Sequence, residues 1–210
     1  MLTRRHFVAL GAAGAASAAL GSAIAAAPRK FGNAEYERAL VIDALGTLGD
    51  RDPNATLDSA PSDLLLRDLK ASGVTAISMT LSVGISGDRF SRAIHRIAIF
   101  DEKVAAAPEA LMRIRKVADI ETAKKTGRVG LIYNVQDTSL LENDLTRVAA
   151  LQRLGLRVMQ MTYNVRNLVG DGCLERGDAG LSNLGRALVA ELARTRIVMD
   201  LSHSGRRTIA

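Results

Sequence analysis

Tryptophan is absent from this chain of 210 residues, and aromatic residues make up only 3% of it. A core must therefore be built from leucine, isoleucine, valine and alanine. At 48% hydrophobic content there are enough of these for one sizeable core rather than two. Cys173 is the only cysteine, so no internal disulfide can form, and it reads as a free loop thiol. Histidine is scarce as well. The chain has His6, His95 and His203, too dispersed for residues 1–210 to assemble a two-zinc cluster. No glycine fingerprint follows the first strand candidate, which argues against a dinucleotide-binding sheet. Internal repeats and low-complexity tracts are missing beyond the N-terminal segment. The formal charge is +6, of which Arg4 and Arg5 supply two. The remaining charges are scattered and no aromatic residues interleave with them, so no nucleic-acid partner is expected.

What is present begins with an address. Thr3 to Val8 (TRRHFV) is a twin-arginine pattern, followed by an apolar run of alanine and glycine that reaches Ala27. Ala25, Ala26 and Ala27 suit a small-residue cleavage site ahead of Pro28. Residues 1–27 are thus expected to be a removed twin-arginine signal, with export to a periplasmic or other extracytoplasmic location. A permanent N-terminal anchor is the alternative, since a span needs roughly 20 apolar residues. Either way the membrane is met only through this segment, and residues 28–210 carry the fold.

Strand and helix patterns then alternate five times. Strands are predicted at Leu40–Ala44, Val74–Leu81, Val129–Val135, Leu156–Thr162 and Ile197–Leu201, each a short apolar run. Helices are predicted at Asp63–Ala71 (capped by Ser62, closed by Gly73) and at Asp88–Ala106. A short one capped by Asp119 runs to Lys125, and another runs from Leu141 to Leu154. The last starts at Ser182, with Leu184, Leu188 and Leu192 on one face. Residues 111–117 suit either an edge strand or a turn of helix. This α/β alternation fits an open doubly wound sheet or about five units of a (β/α)8 barrel. The missing glycine fingerprint favours the barrel.

The organising stretch is Leu156 to Ser204: strand, glycine-rich loop, helix, strand, ending on a histidine. Its segments NLVGDGCLERGDAGLSNLGRALVAEL and VMDLSHSG closely resemble the membrane (renal-type) dipeptidases, peptidase family M19. The likeness extends through DIETAKKTGRVGLIYNVQDTS and VIDALGT, over nearly all of residues 40–210. It implies a metal-dependent hydrolase of the (β/α)8 TIM-barrel class, represented by about its first five βα units. It further implies two zinc ions at the C-terminal mouth and hydrolysis of dipeptides or similar small amides by metal-activated water. In that family the first strand ends in His-x-Asp, the third in a bridging Glu and the fourth in a substrate-contacting His. The fifth carries a His ligand.

Here those positions hold Leu45 and Thr47, Gln136, Tyr163 and His203. The resemblance therefore nominates His203 and Gln136 toward metal, with fewer than two zinc ions, and Tyr163 and Asn164 toward a small-molecule substrate. Each has a plainer reading: a hydrogen-bonded structural histidine, an amide orienting a loop, a packing tyrosine. Asp43 shares strand parity with Leu45 and Thr47, as a substitute ligand or a buried hydrogen-bonded carboxylate. Asp171, Glu175 and Asp178 suit a solvated loop or a cation. An exported, non-catalytic small-molecule-binding protein and a truncated fragment are the rival readings.

Overall fold

The computed structural model describes residues 32–82 and 88–210. The predicted signal lies outside the described residues. Residues 34–210 form one compact unit. After a short helix α1 (Asn33–Arg38), strands and helices alternate. They are β1 (Ile42–Gly46), α2 (Asp63–Ser72), β2 (Ala76–Thr80), α3 (Arg89–Ala106), β3 (Leu111–Arg113), α4 (Val117–Thr126) and β4 (Val129–Val135). A 3-10 turn at Thr138–Leu141 leads to α5 (Thr146–Leu154), β5 (Leu156–Gln160), α6 (Asn183–Thr195), β6 (Val198–Asp200) and α7 (Arg206–Ile209). No helix among the described residues is long and apolar enough to cross a membrane.

Every strand pairing is parallel, in the order β1-β2-β4-β5-β6. The strands follow one another in chain order without the reversal of a doubly wound sheet, and the sheet curls as a half-barrel. All five predicted strands are present, and the ambiguous stretch at 111–117 supplies a sixth, β3. It shares one side of β4 with β5: Leu111 to Arg113 face Val129 to Leu131, and Leu156 takes over opposite Tyr133. Arg113 fills the corner where they meet. Its guanidinium lies 3.7 Å from the centroid of the Tyr133 ring, pairs with Asp101, and donates to the Leu154 carbonyl at 2.9 Å. Tyr133 is fully buried and donates its hydroxyl to Asp101 at 3.1 Å, and burial pushes that phenol above its usual range.

Local chemistry sets the helix ends. The Ser62 and Ser182 hydroxyls accept the Leu65 and Gly185 amides, and Asp88 accepts that of Ser91. Gly73, Gly127 and Gly155 close α2, α4 and α5 in the left-handed region. Two expectations shift. Asp119 is not the cap of α4 but sits in its first turn, with its carboxylate reaching back to the Arg115 and Lys116 amides. The predicted helix from Leu141 is broken: Glu142 takes a φ of 53°, and α5 starts only after Asp144 accepts the Thr146 amide. The core runs between β2, β4 and β5 and the helices. Met79, Leu131, Met159, Leu151 and Leu188 are among its enclosed side chains. The outer strands differ. Val198 is 62% exposed and Leu45 54%, so the buried-strand pattern of 197–201 holds only for Ile197. A strand's burial depends on neighbours on both sides, which sequence periodicity does not report.

Candidate functional site

In parallel α/β folds the carboxyl ends of the strands carry the chemistry, because loops converge there on a rigid frame. Four of those ends matter here. Beyond β5 come Tyr163 and Asn164, and beyond β6 comes His203. These three are brought together. His203 Nδ1 is 2.7 Å from Asn164 Oδ1, and the Tyr163 and His203 rings stack with centroids 4.4 Å apart and an interplanar angle of 26°. Asn164 and His203 both adopt left-handed backbone, with φ of 58° and 59°. Non-glycine residues adopt this conformation rarely, asparagine and histidine more than most, so surrounding contacts must hold the turn. They do. The His203 carbonyl accepts the Cys173 amide at 2.8 Å and the Thr162 hydroxyl at 3.3 Å, and Gly172 bridges to Ser204.

The hydrogen bonds assign the imidazole's roles. The Cys173 thiol also approaches Asn164 Oδ1, at 3.8 Å. With Asn164 Oδ1 as the acceptor of the Nδ1 proton, the neutral ring is the tautomer whose acceptor is Nε2. A histidine fixed in this way presents Nε2 to a metal or a substrate proton. Gln136 lies elsewhere. It is buried at the end of β4, its amide donates to the Ser82 carbonyl, and no hydrogen bond joins it to the trio among the described residues. Leu45, within β1, and Thr47, just beyond it, are exposed. Asp43, expected to be buried, is exposed and accepts the Leu45 amide at 3.0 Å. Among the described residues no group of three or more His, Cys, Asp or Glu side chains could hold a metal ion. Leucine has no lone pair and a glutamine amide is a poor bridge between cations, so the residues present do not fit a two-zinc centre.

The glycine-rich loop is bolted rather than solvated. Asp171 is buried, and its carboxylate accepts from the Arg166 guanidinium and from the Ala179 amide at 2.5 Å. The Arg166 hydrogen bond, then the Ala179 amide, holds that carboxyl below its ordinary range. Glu175 accepts the Arg166 amide, and Asp178 accepts the amides of Gly180 and Arg207. Asn167 is a further hub, taking the Val169 and Gly170 amides on Oδ1 and donating to Asp137, Thr138 and the Met161 carbonyl. Sequence reasoning missed Asn167 and the burial of Asp171. The only signal was their place among the loop glycines.

The family profile of membrane dipeptidases (peptidase family M19) matches residues 42–210. An amidohydrolase from Pseudomonas aeruginosa superposes with a TM-score of 0.71 at 33% identity, covering 83% of this chain and 49% of that one. A metallopeptidase from Rhodobacter sphaeroides, bound to a phosphinate mimic of the dipeptide L-Ala-D-Ala, superposes at 0.65 with 19% identity, covering 80% and 60%. Dipeptidase verJ of Clonostachys rogersoniana is 26% identical over 113 residues, which is 53% of this chain and 29% of that protein. The chain thus spans less than two thirds of each of these relatives. With a profile match running from the first strand to the last residue, and the half-barrel and the β6 histidine inside it, the chain belongs to the membrane dipeptidases of peptidase family M19.

Proposed function

We propose that the chain acts on dipeptides or similar small amides, contributing His203, Asn164 and Tyr163 to the substrate mouth of an M19 hydrolase. The observation that carries this reading is the imidazole at the end of β6, tied at Nδ1 to Asn164 within a family match that spans it. His203 Nε2 offers one lone pair to a cation or one acceptor to a substrate ammonium. The stacked Tyr163 ring gives the mouth a flat wall for a small side chain. In the family, zinc polarises the scissile carbonyl and activates water. Residues 32–82 and 88–210 do not assemble that ligand set.

A second reading is favoured by Leu45, Thr47 and Gln136 in the ligand places: an exported protein that binds such amides without cleaving them. One assay separates the two. Full-length protein supplied with zinc is tested on a dipeptide panel that includes L-Ala-D-Ala. Turnover abolished by a chelator supports the hydrolase. Saturable binding without turnover supports the binding protein, and neither result would remove dipeptides as the ligand class. Export is supported by the Thr3–Val8 pattern and the alanines at 25–27. Immunoblotting of cell fractions should find the chain in the periplasm, and cytoplasmic retention sinks that part alone.

A further inference from the structure

Away from the His203 corner, the loop between β1 and α2 roofs a cavity of about 300 Å³ against α3 and the end of β2. Its chemistry is lopsided. Arg96, Phe100 and Lys103 line it from one face of α3, at i, i+4 and i+7. Lys103 is only 5% exposed. Its ammonium has three donors, and one is used, on the Ser59 carbonyl at 2.5 Å. Arg96 is half-buried and makes no hydrogen bond or ion pair among the described residues. The one carboxylate in the lining, Asp50, is already committed. It accepts the Ser62 hydroxyl at 2.6 Å, the Ser62 amide at 2.9 Å and the Asp52 amide at 3.1 Å. Leu48, Ala55, Leu57, Met79 and Phe100 give the wall its apolar part, and Thr47, Thr56 and Thr80 complete it.

Two cations with spare donors, one of them buried, facing a small cavity with apolar side chains in its wall are costly unless an anion meets them. We propose that this cavity is a binding site for a short aliphatic monocarboxylate. The headgroup is held between Arg96 and Lys103, and the tail lies among Leu48, Leu57 and Met79. Guanidinium and ammonium groups are the standard partners of a carboxylate, and the cavity is at the lower end of small-ligand sites. Desolvation disfavours the Lys103 charge while Asp50 and Asp58 favour it, so an added carboxylate works in the same direction as those two. Thr47, which stands at a family ligand position just beyond β1, also lines this cavity, with a hydroxyl in place of a metal-binding carboxylate.

The test is titration of the full chain with butyrate by calorimetry, with butyramide as the uncharged control. Saturable butyrate binding is expected, with butyramide at least tenfold weaker. Arg96→Gln and Lys103→Met should each weaken butyrate at least tenfold. Lys103→Met removes a buried anchor of the loop and is interpreted only if it melts cooperatively. Arg96→Gln changes a half-buried residue and keeps the test decisive if the other variant fails to fold. His203→Ala should leave butyrate binding intact, which separates this site from the dipeptide reading. No saturable binding, equal binding of butyramide, or an Arg96→Gln affinity equal to wild type overturns the proposal.

Discussion

Asn164 and His203 sit in strained backbone at the carboxyl ends of neighbouring strands, and a glycine makes their meeting possible. A Cβ at Gly172 would lie 2.3 Å from the Asn164 carbonyl carbon and oxygen, far inside contact distance and against backbone, which cannot swing aside. Gly172→Ala should therefore cost about 1–3 kcal/mol, as overpacking does. In a chain of this size that lowers Tm by roughly 2–12 °C. It should also displace Asn164 Oδ1 from the His203 ring. Gly177 is the control: a Cβ there meets nothing within 4 Å, and Gly177→Ala should stay within about 0.5 kcal/mol of wild type. Equal melting of the two variants would mean that the loop yields and the corner is not held by this contact.

At the scale of elements, acid should release the loop between β5 and α6 before it melts the sheet. The Asp171 carboxyl is held low by Arg166 and Ala179, and Asp50, Asp88 and Asp144 are held low by hydroxyls and amides at helix starts and turns. A depressed folded value means the stabilisation is complete above the unfolded carboxylate value of about 3.9 and is lost as pH falls through the lower folded value. The urea midpoint should thus be flat from roughly pH 7 to 5 and drop below pH 4, with a shallower acid limb in Asp171→Asn. An unchanged acid limb in that variant would remove Asp171 from the explanation. Helix caps were legible because they are local: Ser62 and Ser182 bond three residues on, and Gly73 follows directly. The role of Asp171 was not legible. Its carboxylate partners lie five and eight residues away, and its backbone bonds the Thr208 hydroxyl 37 residues on, so no window along the chain contains them together. The Tyr163–His203 stack spans a whole βα unit. Only the family resemblance, not periodicity, pointed at both residues.

For the whole molecule, the alternating pattern gave the parallel half-barrel, but not which strands would be its rims. Among the described residues β1 and β6 pair on one side only, and both carry exposed apolar side chains: Leu45 and Ile42 on one, Val198 and Met199 on the other. A parallel strand with a free edge offers unpaired amides and carbonyls in register, and apolar flanks add the area that makes pairing favourable. Proteins blunt such edges with lysine or proline, and neither occurs in Ile42–Gly46 or Val198–Asp200. The 210-residue chain should accordingly self-associate at micromolar concentration, with a weight-average sedimentation coefficient that rises on titration. Val198→Lys places a charge on the β6 rim, where the residue is exposed and the fold should lose no more than about 0.5 kcal/mol. It should lower association while leaving Tm in place. A chain that remains monomeric at about 100 µM, in wild type and variant alike, would mean that the rims are covered from within, and the edge argument fails.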